Sequence, residues 1–433
     1  MQSKDLNAPI TDNGTIANLW DLGNRVEKSW CRSNYNEGIF PEIVLNELST
    51  SSVLGKPDHV DIIKYLFKDD FNIRQPNSQT LFGQPPVVLF QAQRFFIEAL
   101  FWFSGTTSIH EHAFSGAFLV LSGSSVHSQW RFSTKKTINS RMKCGELSRV
   151  STEILHPGDV RAIRPGNQLI HQLFHLEVPS VTLVIRTYVD RDHLPQFEYL
   201  LPGLAIDHED RESLRTRRLI LLDAMARGQI GGLKQFGSML LGSTDLETAY
   251  HVLSTLSRTK IDTANIEELL SCARENHGDI IDLFWEVCQE QRRTRIITRL
   301  RSKVLEPRAR FLLALLMLMR DRESILESIH LQYPEIDALT AIEKSLEEMN
   351  RKSVIGFELN DINRTIFRSL IDGIDSEELL CRLRDEFESE SLDALGSQVL
   401  EHAKQIASSE LFRPLFSESP LQNKIHREML SYR

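Results

Sequence analysis

The chain has 433 residues, 41% of them apolar and 25% charged, with a formal charge of −9. That length allows two or three domains with a sizeable core, and the composition is ordinary for a soluble globular protein that folds unaided. The net negative charge argues against bulk attraction to nucleic acid or to an anionic membrane, so small molecules and proteins are the expected partners.

Residues 15–71 read as helical, with apolar residues three and four apart in Ile16-Leu19-Trp20-Leu22 and Ile43-Val44-Leu45-Leu48 and a break at Gly55-Lys56-Pro57. They form an N-terminal helical extension or cap, assigned to 1–85. Over 87–188 the pattern changes to short runs rich in Val, Ile, Phe and Thr, punctuated by Gly105, Gly123, Gly158 and Pro165-Gly166. Such punctuation belongs to an antiparallel barrel or sandwich. Eight strands are expected, near 87–91, 94–103, 108–121, 125–132, 147–155, 159–163, 168–176 and 181–188, a number that suits a jelly roll over 86–200. After Asp207 the chain turns helical, with stripes such as Leu219-Leu222-Met225 and Phe311-Leu315-Met319. Breaks at Gly228, Gly231-Gly232, Gly242-Ser243, His277-Gly278, Pro307, Pro334 and Gly373 divide it into seven to ten helices, a bundle or short solenoid over 208–433. The fold class is α+β and multidomain, a β-barrel followed by an all-α C-terminal domain.

Five cysteines (Cys31, Cys144, Cys272, Cys288, Cys381) are scattered and show no CxxC spacing. Neither a disulfide framework nor a zinc knuckle is implied, and a reducing, cytoplasmic setting is expected. Residues 1–16 lack a signal pattern, and the longest apolar run, 311–319, is too short to span a bilayer, so no membrane association is expected. Arg292-Arg293-Thr294-Arg295, Arg299, Arg301, Lys303, Arg308 and Arg310 form a basic run, open to an acidic partner or nucleic acid. The acidic stretches Glu377-Glu378 and 386–390 favour instead a solvated or internally salt-bridged helix, and no nucleic acid is expected.

The chemistry concentrates in His110-Glu111-His112. Side chains two apart on a strand share a face, roughly 6–7 Å apart along the chain, so both imidazoles can converge on one ion. A further ligand must come from another strand, and the Pro165-Gly166 turn launches an apolar run carrying His171 and His175. Three neutral imidazoles leave coordination positions open, an arrangement suited to catalysis rather than to a closed structural site.

Gly105, His110-x-His112, Gly123, Gly158, Pro165-Gly166 and His171, in that order, resemble the two signature motifs of the cupin superfamily, small double-stranded β-helices (jelly rolls) holding a metal in their mouth. In the usual first motif a Glu follows the second His by four or five positions. Here Gly116 and Ala117 stand there, which leaves a three-histidine site of His110, His112 and His171. Cupins of that kind include the thiol dioxygenases, which use non-haem Fe(II) and O₂ to oxidise a thiol to a sulfinate. Ile170-His171-Gln172-Leu173, followed by Val178-Pro179-Ser180-Val181-Thr182-Leu183, is similar to the corresponding strands of that family. The resemblance covers about a hundred residues. It implies Fe(II) as cofactor, with Zn, Mn or Ni as alternatives on the same donors, and a small thiol or amino-acid-like substrate. It also places His175 beside the third ligand, with Gln172 and His127 behind the ligands. Where some members carry a crosslinked Cys, this chain has Gly116, Ala117 and Phe118, and with Phe114 these suggest a greasier or bulkier substrate than free cysteine.

Three further residues are candidates for catalysis or substrate binding. On 126–132 alternation puts His127, Gln129 and Arg131 on one face, where Arg131 either holds a substrate carboxylate or lies on a solvated strand face. Glu98, inside the apolar run 95–103, either orients a ligand or substrate or belongs to a buried structural pair. Tyr188 is a proton donor or a rim tyrosine. The leading expectation is a metal-dependent cupin enzyme of the Fe(II) dioxygenase type. Its rivals are a non-redox cupin enzyme and a cupin ligand sensor whose helical domain contacts a protein partner.

Overall fold

A computed structural model describes residues 14–50, 59–68, 71–75, 83–207, 213–228, 230–259, 263–352, 355–387 and 392–416. The Gly55-Lys56-Pro57 break, most of the 1–16 segment and acidic Glu388 and Glu390 lie outside them. The chain forms two compact units, Met1–Leu256 with Ala273–Val287, and Ser257–Cys272 with Cys288–Arg433. The division falls within the helical stretch rather than at its start, so helices from beyond residue 208 belong to both.

The first unit opens with α1 (Gly14–Arg32), α2 (Phe40–Ser49) and α3 (His59–Leu66). Eleven strands follow: β1 (Pro86–Gln91), β2 (Phe95–Trp102), β3 (Ile109–His112), β4 (Gly116–Ser122), β5 (Ser125–Asn139), β6 (Met142–Leu155), β7 (Val160–Ile163), β8 (Gly166–His175), β9 (Ser180–Thr187), β10 (Glu198–Leu200) and β11 (Leu204–Ile206). Five make an antiparallel sheet in the order β1-β2-β9-β4-β7, and six close into an antiparallel barrel in the order β10-β11-β6-β5-β8-β3. The run expected as one strand over 108–121 is two, because the chain leaves the barrel after His112 and joins the other sheet at Gly116. Gly123, at φ +74°, makes the tight turn from β4 into β5. β10 and β11, three residues each, were not expected from the sequence, and β5 and β6 extend well past their expected ends as a polar, largely exposed hairpin.

β2 is buried along its whole length because both of its faces are covered. Phe95, Ile97, Ala99 and Phe101 pack with the apolar stripe of α1 and with Phe40, Val44 and Leu48 of α2. Ile16, Leu19, Leu22 and Val26 of α1 are wholly buried there, each worth about 1.5–3 kcal/mol, so this cap is an integral layer of the fold. The other face carries Leu100 and Trp102, which cluster with Phe118, Val120, Leu173 and Val184. That inner face, with its alternation set by the β2–β9 register Glu98↔Val184 and Phe96↔Arg186, lines the cavity described below.

Helices α4 (Ser213–Arg227), α5 (Leu233–Ser243), α6 (Leu246–Leu256), α7 (Thr263–His277), α8 (Ile280–Lys303), α9 (Pro307–Leu318), α10 (Arg322–Gln332), α11 (Ala338–Arg351), α12 (Asp361–Asp372), α13 (Ser376–Phe387), α14 (Leu392–Ala407) and α15 (Arg413–Phe416) follow. Twelve are thus found among the described residues, more than breaker spacing indicated. In the second unit α9 is buried all round from Ala309 to Leu318, the mark of a central helix, and starts where Pro307 and the capping carboxylate of Glu306 place it. The basic run is internal in good part. Arg293, Arg301 and Arg310 are buried, Arg293 on Glu290 and Leu316 O, Arg310 on the carbonyls of Val304 and Arg301, and Arg292 pairs with Glu410. The partners seen among the described residues include Glu290, Glu410 and backbone carbonyls. No helix among the described residues is long and apolar enough to cross a membrane.

Candidate metal centre

β3 and β8 are neighbours in the barrel, and their register sets His110 directly opposite His171. The ladder is irregular next to this pair, since His112 pairs with Gly166, so two steps along β3 match five along β8. Nitrogen atoms of His110, His112 and His171 all lie within 4.8 Å of one another, and the residues form a buried group able to bind a metal ion. His112 Nε2 and His171 Nε2 are 2.9 Å apart. With metal–imidazole bonds of about 2.0–2.1 Å, two ligands of one ion sit about 2.9–3.4 Å apart for octahedral to tetrahedral angles, so the spacing suits a shared ion.

Protonation favours the same use. Burial lowers the pKa of His110 and pushes those of His112 and His171 well below the ordinary imidazole value, the latter two with help from neighbouring imidazoles. All three are neutral at pH 7, as ligands must be. Their tautomers follow from their partners. His110 Nδ1 donates to Ser108 O at 2.8 Å, which leaves Nε2 with its lone pair. His171 Nδ1 meets His127 Nε2 at 3.0 Å, and His127 Nδ1 meets Glu153 Oε1 at 2.9 Å. Arg161 binds both oxygens of Glu153 and is the main reason its carboxyl is held down to about 2. An ionised Glu153 only accepts, so His127 donates from Nδ1, accepts at Nε2 from His171 Nδ1–H, and turns the lone pair of His171 Nε2 toward His112. Two lone pairs facing each other at 2.9 Å repel unless a proton or a cation lies between them. The chain is built across adjacent strands, His127 opposite Glu153 on β6 and diagonal to His171 on β8.

Among the described residues no carboxylate joins the three imidazoles. At Gly116 a Cβ would lie 2.0 Å from Ile185 O, so the β4–β9 approach admits no side chain where the cupin resemblance leads one to expect a Glu. Glu111 points to the opposite face from its two flanking histidines, where it accepts from Tyr199 Oη at 2.7 Å and Phe197 N at 3.3 Å and fastens β3 to β10.

His110, His112 and His171 open onto a cavity of about 280 Å³ whose walls include Leu100, Trp102, Phe114, Phe118 and Val184. Glu98 lies in this wall and accepts from Arg186 Nε at 2.6 Å, with both side chains on one face of the β2–β9 ladder. The Arg186 guanidinium also lies 4.4 Å from the ring centres of Phe96 and Phe114.

The sequence-derived candidates distribute unevenly around this site. His127 stands directly behind His171. Gln172 points away and donates to Thr107 O at 2.9 Å, bracing the approach to β3. His175 is wholly buried, 2.8 Å from Ser125 Oγ, and stacks on Trp102 with ring centres 4.7 Å apart, so it supports the cavity wall. Arg131 is exposed and is not among the residues lining the cavity. The β5–β8 pairing ends at Trp130↔Ile170, and from Arg131 onward β5 pairs with β6 alone and runs outward into the exposed hairpin. Tyr188 is also exposed, donates to Ala92 O at 3.1 Å and does not line the cavity. Sequence reasoning missed Arg186 and Glu153. Arg186 was legible as the one charged residue on the inward-facing alternation Thr182, Val184, Arg186, whereas Glu153 emerges only from the β5–β6 register. Comparison with known protein families finds no match along the chain, and comparison with curated proteins finds none either.

Proposed function

We propose that this protein is a metal-dependent enzyme of the cupin type, in which His110, His112 and His171 hold Fe(II) and a small organic molecule is oxidised by O₂ in the adjoining cavity. The observation that carries this reading is the convergence of three buried, neutral imidazoles, joined by no carboxylate among the described residues, on the edge of an apolar cavity. An ion bound there would supply Lewis acidity and, as Fe(II), redox chemistry with O₂ at the coordination positions three ligands leave open. The chain's own residues supply the surroundings. Glu153 and His127 fix the tautomer of His171, Trp102, Phe114 and Phe118 exclude water, and Glu98 with Arg186 forms the charged pair in the wall. The closed antiparallel barrel joined to a second antiparallel sheet supports a double-stranded β-helix architecture.

The test is oxygen consumption by anaerobically purified, iron-loaded protein across a panel of thiols, amino acids and organic acids, with His112→Ala as control. Uptake in the wild type and none in the variant is expected, and iron bound without uptake on any compound counts against oxygenation. The same donors suit Zn, Mn or Ni, and a non-redox reaction would follow if one of these co-purifies in place of iron. A second reading, a ligand sensor acting on a protein partner, is favoured by the exposed Leu214, Ile220, Leu221, Phe236 and Met239 on α4 and α5. A metal-binding protein inert toward every substrate would move the balance to it.

A further inference from the structure

The cavity has one cationic group whose hydrogen-bonding capacity its protein partners do not exhaust. Arg186 gives Nε to Glu98 at 2.6 Å, and two aromatic rings lie 4.4 Å from its guanidinium, which fixes the plane of the fork. Among the described residues its Nη1 and Nη2 form no hydrogen bond, and the side chain lines the cavity that the three histidines share. A guanidinium held flat, with its terminal edge toward a cavity, matches a planar oxyanion through two parallel N–H···O bonds.

The rest of the wall narrows the class further. Leu100, Trp102, Phe118, Leu173 and Val184 are apolar, Trp102 Nε1 is already satisfied by Thr182 Oγ1 at 3.1 Å, and Gln196 Oε1 accepts from Ala113 N at 3.2 Å. Among the described residues Glu98 is the only carboxylate lining the cavity, and it is committed to Arg186. An α-ammonium would have to compete with Arg186 for it or be buried against hydrocarbon, which is costly for a charge. A volume of about 280 Å³ sits at the small end of ligand pockets, which span about 300–1,000 Å³. It suits a body the size of a single ring or a short branched chain.

We propose that the substrate is a small, largely apolar monocarboxylate, anchored by its carboxylate on Arg186 with its body against Trp102, Leu100 and Phe118, and that amino acids of the same shape are discriminated against. This deepens the reading of the site as a metal centre and rests on it for the reaction that follows binding, whereas the recognition is a property of the cavity walls.

Isothermal titration calorimetry on the full-length protein, metal-loaded and chelator-treated, tests it with sodium phenylacetate, benzyl alcohol, phenethylamine and L-phenylalanine as probes. Intrinsic tryptophan fluorescence, with Trp102→Phe as the reference for the other four tryptophans, serves as a second readout. Phenylacetate should bind at least about tenfold more tightly than each of the other three, since only it offers a charged, bidentate acceptor without an ammonium. Arg186→Lys keeps a cation for Glu98 but loses the fork and should weaken phenylacetate about tenfold. Glu98→Gln/Arg186→Met replaces the pair without leaving a buried charge, should abolish the preference for the acid over the alcohol, and guards against a single variant that fails to fold. Phenylacetate binding no tighter than benzyl alcohol, or L-phenylalanine binding as tightly as phenylacetate, overturns the proposal. If metal binds and the acid does not, the substrate class fails and the metal centre stands; if the acid binds through Arg186 and no metal binds, the reverse holds.

Discussion

The chain Arg161–Glu153–His127–His171 makes a quantitative prediction about metal affinity. A bound ion requires the lone pair of His171 on Nε2, hence its proton on Nδ1, where His127 Nε2 accepts at 3.0 Å. In His127→Phe that buried N–H loses its acceptor in the metal-bound form, at a cost of about 1–3 kcal/mol, while the metal-free form escapes by moving the proton to Nε2, toward His112. Affinity should therefore fall roughly 5- to 150-fold, in line with the 10- to 100-fold typical of partners behind a metal ligand. Glu153→Gln keeps an accepting oxygen and loses only the charge, a difference of about 1 kcal/mol or roughly fivefold. Competition for Zn(II) against a chromophoric chelator measures both, with circular dichroism reporting the fold. The expected order is wild type, then Glu153→Gln, then His127→Phe. Wild-type affinity in both folded variants would refute the reasoning from tautomer to ligand.

Other consequences follow from packing and charge. Gly116→Ala drives a Cβ to 2.0 Å from Ile185 O and should destabilise the β4–β9 pairing by several kcal/mol, seen as a large fall in Tm; an unchanged Tm would contradict the close approach. Exposed Cys31 and Cys381 should react quickly with a thiol reagent at pH 8, while Cys144, pushed up to about 11 by burial, and Cys288, pushed up to about 12 by burial, should react only on unfolding. Arg131→Ala should leave metal binding and phenylacetate binding unchanged, because the side chain is exposed and does not line the cavity; a loss of either would return Arg131 to the site. Arg161, and more weakly His127, hold the Glu153 carboxyl down to about 2 from an ordinary 4.5, so the stabilisation is complete above 4.5 and is lost as pH falls through about 2. The stability gap between wild type and Glu153→Gln should stay level above pH 4.5 and close below it; a gap unchanged down to pH 2 would show that the pairing is not what lowers the carboxyl.

The strand-borne histidines were legible because their signals are local. A period of two puts His110 and His112 on one face, and Pro165-Gly166 announces the strand that brings His171. What surrounds them depends on register between segments distant in sequence. His127 meets Glu153 through a hairpin, and Glu98 meets Arg186 through a ladder joining residues 88 apart. Alternation alone could not place Arg131 because the residue lies one step past the last β5–β8 pair, Trp130↔Ile170, and β10 and β11 are too short to show any period. Gly116 read from the sequence as the place of a missing Glu or crosslinked Cys, whereas in the fold it is the point where two backbones come too close for any side chain. The arginines of α8 and α9 read from the sequence as a solvated or internally salt-bridged helix; Arg293 is buried on an internal salt bridge to Glu290 and on Leu316 O, and Arg310 is buried on backbone carbonyls, which charge in a sequence does not reveal.

The central claim is that His110, His112 and His171 together hold one metal ion, and Co(II) titration followed by visible absorption tests it most directly. Wild-type protein should take up one equivalent and develop ligand-field bands, His112→Ala and His171→Ala should lose both, and the surface control His156→Ala should keep both. Equal uptake by all four proteins, or no uptake by the folded wild type, would contradict the account.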